Sequence, residues 1–450
     1  MSGLTSAALK FPLAVTTFAA QKLVGALPLA DSGIGRAVQS NLYKTGEAAQ
    51  RDFATNTALF GAFQFGDAAQ EAILSMVTDA LTLKVLKPEY LRGAMSGLMR
   101  GGAGAIGTVA TPTARELLAQ QFRNTFDVIA LVNHVYAPDR LSSEGTYPLE
   151  EMLDKAYSGG HYPTLWSIEG VGERYAEAYM HEKKGVRDLL TGGQGGAMPL
   201  KAQLMMHAGM GIAFAKDAVA KITPWSSETE LKDVLREFLD ICLANSMPGY
   251  LGAAVESLGL VTRTWHKQLV TPLTRQLGEV DPNAVEFFWH GAGRAMNFSP
   301  MYMLPGLSPW LAAQQEPPDD IARRNARSGV AWAYTVVNSR QPEITANFLA
   351  TRGEEVSGDD GFACGAYSSL TMASDMVPGH EVVAAYGRYQ PDPGKPAEVD
   401  AWNQYIGQDA LTRINHFRET LKTYGKLDEL FRYHSLPKYI AELEAGSQEP

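Results

Sequence analysis

Glycine recurs in this chain inside stretches that otherwise read as helix, and it recurs at intervals. The segments are EGVGERYA (169–176), AGMGIAFA (208–215), ESLG (256–259), HGAGRAMNF (290–298) and RSGVAWA (327–333), with a weaker DGFACGA (360–366). Gly172, Gly211, Gly293, Gly329 and Gly365 are separated by 39, 82, 36 and 36 residues, and Gly259 falls inside the long gap. Spacing of that order is the mark of helical-hairpin repeats. Glycine costs about 1 kcal/mol in a helix interior relative to alanine. Its repeated use there implies that something approaches closely, either a neighbouring backbone or a ligand.

The rest of the pattern is helical as well. Leu231, Val234, Leu235, Phe238, Leu239, Ile241 and Leu243 form one amphipathic stretch, and residues 115–135 form another. Near the end, Leu411, Ile414, Phe417, Leu421, Tyr424, Leu427 and Phe431 follow at spacings of three and four, which predicts a continuous packing stripe. Residues 142–148, 191–199, 304–320, 352–361 and 390–396 carry the Gly and Pro punctuation of loops. The expected fold is therefore all-α, built from irregular helical-hairpin repeats, either α-solenoid-like or a compact repeat array, with a C-terminal helical cap. The expected organisation is an N-terminal amphipathic arm at 1–40, a helical repeat body at 41–395 and C-terminal helices at 396–450.

Composition narrows the function. With 39 basic against 49 acidic residues and a net charge of -10, the chain lacks the cationic surface that nonspecific nucleic-acid binding needs. Two cysteines, Cys242 and Cys364, make no disulfide framework and fit a reducing, cytoplasmic setting as buried thiols. The apolar stretch at 9–30 is interrupted by Lys10 and Lys22, so it is too short to span a bilayer. It reads as an arm that docks on the body or makes a peripheral membrane contact, with a signal peptide as the lesser alternative.

EGVG (169–172), FFWHGAGRAMNF (287–298) and GVAWAYTVVN (329–338), followed by GFACGAYSSLTMASDMVPGH (361–380), resemble a bacterial family of unknown function known as enediyne biosynthesis proteins. The resemblance spans about residues 40 to 395. It implies an association with natural-product pathways and brings no catalytic residues with it.

Aligned on their last glycine, three segments place Glu169, Glu256 and His290 at one position, three residues before Gly172, Gly259 and Gly293. Equivalent positions of a stacked repeat line one surface. Two carboxylates and an imidazole there are candidates for catalytic acid/base chemistry. The competing reading puts each near a helix start, facing the macrodipole and the orphan amides. Arg294 needs a partner if buried, with Glu286 or a ligand carboxylate as candidates. Trp289, Phe298 and Trp332 are candidate ligand-binding residues, and the run from Phe287 to Trp310, rich in aromatic residues and methionine, suits either a core or an apolar pocket.

Other motifs carry less. Gly102–Gly107 matches a dinucleotide fingerprint with no strand before it. The pairs Asp319-Asp320 and Asp359-Asp360 lack a third acid at magnesium-binding spacing and suit helix caps or solvent, and the histidines show no metal-ligand spacing. The functional expectation is binding of a hydrophobic small molecule or pathway intermediate in a helical pocket, with an enzymatic step, the cofactor and a homo-oligomer all left open. The alternative is a non-catalytic helical scaffold or interaction protein.

Overall fold

The computed structural model describes residues 120–121, 124–125, 127–128, 131–132, 134–182, 186–298, 309–356 and 360–446. The N-terminal arm, the Gly102–Gly107 motif, most of the helix expected at 115–135 and Asp359 lie outside the described residues. Among those residues the chain is helical with no strand, which is the all-α class expected. No described helix is long and apolar enough to cross a membrane.

Six helices carry the small-residue segments: α2 (His161–Glu182), α4 (Leu200–Ala220), α6 (Leu251–Trp265), α8 (Pro282–Phe298), α10 (Asp320–Val337) and α12 (Gly361–Met376). Each packs on the next in chain order. The row curls on itself, because α12 also meets α4 and the Tyr162 hydroxyl at the start of α2 donates to the Val337 carbonyl at the end of α10 (2.8 Å). Helix α4 is buried nearly all round, consistent with its small and apolar residues.

The remaining helices clothe this row: α1 (Leu149–Ser158), α3 (Gly193–Ala197), α5 (Glu228–Asn245), α7 (Val270–Val280), α9 (Pro309–Gln315), α11 (Pro342–Val356), α13 (Glu381–Arg388), α14 (Pro396–Tyr405), α15 (Ala410–Thr423) and α16 (Leu436–Gly446). Helix α5 shows the logic of a surface element. Leu231, Leu235, Phe238, Cys242 and Asn245 bury one stripe, and a reciprocal Ser227/Glu230 capping box starts the helix.

Glycine spacing explains how the row packs. Two residues along a helix is a turn of about 200°, so the glycines of a G-x-G pair face opposite sides. A Cβ on Gly291 would stand 2.2 Å from the Glu256 carbonyl oxygen of α6, and one on Gly293 would stand 2.1 Å from that of Ala326 in α10. In α4, Gly209 faces Glu169 of α2 (2.0 Å) and Gly211 faces Ala254 of α6 (2.2 Å). One glycine serves each neighbour. Register follows too: Gly172 lies at Met206 while Gly209 lies at Glu169, so α2 and α4 run antiparallel.

Some boundaries differ from the sequence pattern. The stripe from Leu411 to Phe431 is not one helix: α15 ends at Thr423, Gly425 takes φ +60, and Leu427–Phe431 forms a separate 3-10 turn. Loop punctuation at 191–199, 304–320 and 352–361 conceals α3, α9 and the last turn of α11, which continues past a non-helical Arg352. Segments shorter than two turns are too brief for periodicity to reveal.

Candidate functional site

The inner faces of α2, α6 and α8 bring Glu169, Glu256, His290 and Arg294 into one buried cluster. All four sit mid-helix and not at helix starts, so the macrodipole reading of the acids does not apply. His290 and Arg294 lie four apart on one face of α8 and share a single acid on α6. His290 Nδ1 is 3.0 Å from Glu256 Oε1, while Arg294 Nη1 donates to Glu256 Oε2 (3.0 Å). Arg294 Nη2 then reaches across to Glu169 Oε1 on α2 (3.0 Å). Gly291 makes the arrangement feasible, since a side chain there would push α8 away from Glu256.

Arg294 therefore takes its partners from Glu169 and Glu256, and not from Glu286, which instead faces Arg432 (3.8 Å). Aromatic rings close the cluster. The Arg294 guanidinium lies over Trp332 (4.4 Å to the centroid) and near Phe431 (5.7 Å). His290 stands edge-on to both rings, at 6.4 and 6.3 Å. Exposure is 4% for Glu169, 0% for Glu256 and His290, and 1% for Arg294.

Burial governs the charges. It pushes the Glu169 carboxyl above its ordinary value against the opposing pull of Arg294, and pushes the His290 imidazole below its own. Burial also disfavours the Arg294 cation, but Glu256 and Glu169 outweigh it and hold the guanidinium charged. A neutral His290 that donates Nδ1–H to Glu256 keeps a lone pair on Nε2. That Nε2, Arg294 Nε and Trp332 Nε1 are all buried without a hydrogen-bond partner. A carboxylate that orients an imidazole with a free Nε2 is the geometry of a general base.

The other candidate residues lie elsewhere. Trp289 is buried one position before His290 and packs beside Phe288 (6.0 Å). Phe298 is half-buried at the end of α8, edge-on to Trp166 (6.2 Å). His207 is satisfied on both nitrogens, by the Gln203 carbonyl (2.7 Å) and the Met247 amide (3.0 Å). Asp319 caps α10 through the Ala322 amide (2.8 Å), Asp320 pairs with Arg323, and Asp360 accepts from the Tyr433 hydroxyl. Among the described residues no three His, Cys, Asp or Glu side chains are grouped to hold a metal.

Sequence reasoning missed two further members of the inner position. Gly329 and Gly365 face the preceding helix, as Gly291 does, and are not equivalents of Gly293. The position one residue before the backward-facing small residue holds Glu169, Ala208, Glu256, His290, Ser328 and Cys364. Ser328 Oγ lies 3.5 Å from Cys364 Sγ. Aligning Gly329 and Gly365 with Gly170, Gly209, Ser257 and Gly291 brings out this pair. Phe431, supplied by the 3-10 turn, was hidden inside the expected C-terminal stripe. No family model, curated protein or solved structure matches the chain.

Proposed function

We propose that the chain binds a hydrophobic small molecule at the interior cluster of Glu169, Glu256, His290 and Arg294, with the six small-residue helices as equivalent packing units around it. The observation that carries this reading is the set of unpartnered nitrogens on His290, Arg294 and Trp332, each on a side chain at most 1% exposed. A buried polar atom without a partner costs about 1–3 kcal/mol, which a bound group or an ordered water recovers. Glu256 orients His290 so that Nε2 can take a proton from a bound molecule, which leaves room for an enzymatic step. The resemblance to enediyne biosynthesis proteins agrees with a role in natural-product metabolism.

Native mass spectrometry of the purified chain tests the reading. The expected result is a small-molecule adduct that disappears on denaturation and is diminished in Arg294→Met. A chain carrying no adduct, whose melting temperature no apolar compound raises, would sink it.

One observation favours a second reading. Phe431, at 0% exposure, lies over the cluster as part of the protein's own core. On that view the cluster fixes helix register in a non-catalytic scaffold, and Glu256→Gln would change stability without changing binding to anything.

A further inference from the structure

Away from the interior cluster, α13, α14 and α15 enclose a surface cavity of about 640 Å³. That volume falls in the range of small-molecule sites, roughly 300–1,000 Å³. Its walls are stiff. Gly387 lets the end of α13 meet the start of α15, since a Cβ there would stand 2.8 Å from the Leu411 amide nitrogen. The segment Tyr389–Pro396 carries Pro391, Pro393 and Pro396, which fix φ, and it turns on Asp392, whose carboxylate accepts from the Gly394 amide (2.8 Å). Trp402 of α14 holds the half-buried Tyr389 edge-on (4.9 Å), and Tyr389 lines the cavity together with the three prolines. A frame built this way is in place before any ligand arrives.

The lining is otherwise polar. Arg388, Gln390, Asp400, Asn403, Gln408 and Asp409 border the cavity, and among the described residues none of these side chains makes a hydrogen bond or ion pair with protein. Elsewhere on the surface opposite charges meet, as in Arg236–Asp233 (2.9 Å) and Arg275–Glu228 (2.6 Å). Here Arg388 shares a cavity with two carboxylates and pairs with neither. Asp409 is unusual in backbone as well. It stands at the N-cap of α15 in the left-handed region (φ +59), which is costly for a residue with a side chain, yet its carboxylate does not cap the helix. Asp319, at the N-cap of α10, does.

These groups select a ligand class. Gln390, Asn403 and Gln408 are uncharged carboxamides, each both donor and acceptor. One guanidinium against two carboxylates disfavours an anion, while a cation would face Arg388 and the amide N–H groups. An apolar molecule would strip water from six polar side chains and return no hydrogen bond. A hydroxyl serves all of them, because it donates to a carboxylate and accepts from a guanidinium or an amide. We propose that this cavity binds a neutral polyhydroxylated molecule, a mono- or disaccharide, whose C–H face rests on Tyr389 and the prolines. The site shares no residue with the Glu169–Arg294 cluster and is independent of it.

Saturation-transfer difference NMR of the full chain at neutral pH tests the proposal. The probes are glucose, galactose, mannose and N-acetylglucosamine, with glucuronate, glucosamine and indole as acidic, basic and apolar counterparts. At least one neutral sugar should bind about tenfold more tightly than indole, and more tightly than either charged sugar. Asn403→Ala and Asp409→Gly, both at exposed positions, should each weaken that binding about tenfold. Asp409→Gly should do so with the melting temperature unchanged or raised, since glycine adopts the left-handed region freely. No binding by any of the four neutral sugars overturns the proposal. So does equal or tighter binding of indole or a charged sugar, or a bound sugar that both substitutions leave unmoved.

Discussion

Two glycine-to-alanine substitutions should change stability in opposite directions. Gly278 lies in α7, and an added Cβ would meet only Val285 Cγ2 at 3.9 Å, an ordinary contact. Gly278→Ala therefore keeps every packing contact and gains helix propensity, about 0.5–1 kcal/mol. Gly293 lies in α8, and the same Cβ would stand 2.1 Å from the Ala326 carbonyl oxygen and 2.8 Å from its carbon. To restore even a 3.0 Å separation, α8 and α10 must part by about 1 Å, as the difference between 3.0 and 2.1 Å requires. Backbone cannot swing aside as a side chain can, so the cost falls in the overpacking range of about 1–3 kcal/mol and exceeds the propensity gain. The parted interface also carries Arg294 and Trp332. Urea unfolding followed by far-UV circular dichroism measures both variants against the parent. A Gly293→Ala protein as stable as Gly278→Ala would refute the claim that these glycines exist for backbone contact.

His207 links stability to pH. Burial pulls its pKa from 6.5 down to about 4, so between those values the unfolded chain binds more protons than the folded one. Its contribution is complete above pH 6.5 and is lost as pH falls toward 4; His207→Asn should flatten the pH dependence of urea midpoints across that window, and an unchanged slope would contradict it. Burial also raises both thiols, Cys364 to about 11. A chromogenic disulfide reagent at mildly alkaline pH should label neither Cys242 nor Cys364 until denaturant is added, whereas rapid labelling of the native protein would show that one is accessible.

The helical class was legible because 3.6-residue periodicity is a local signal, and the amphipathic stretch from Leu231 to Leu243 falls within α5. The glycine helices were legible as well, but not which way each glycine faces. Gly293 and Gly329 look alike in sequence, yet one faces the following helix and the other the preceding one. Glu169, Glu256 and His290 were aligned by register, and the structure brings them together through Arg294. The link from Arg294 to Glu169 spans 125 residues, and no local pattern encodes a contact of that range. Glu286, the nearer acid in sequence, was the natural guess, but it stands eight residues, about 12 Å of helix, before Arg294 and faces Arg432 instead. Phe431 escaped notice because Gly425 breaks a spacing that otherwise continues unperturbed.

The paired small residues also say how such a chain can change over time. At each of these crossings the atoms that meet are mostly main chain, which every amino acid carries in the same form. The framework therefore constrains a short list of positions and leaves most side chains free to drift, provided volume and polarity pattern are kept. Two proteins could share this packing while sharing little beyond a small residue, one intervening position and another small residue in each central helix. For such an architecture kinship is better sought in the spacing of glycines than in overall identity.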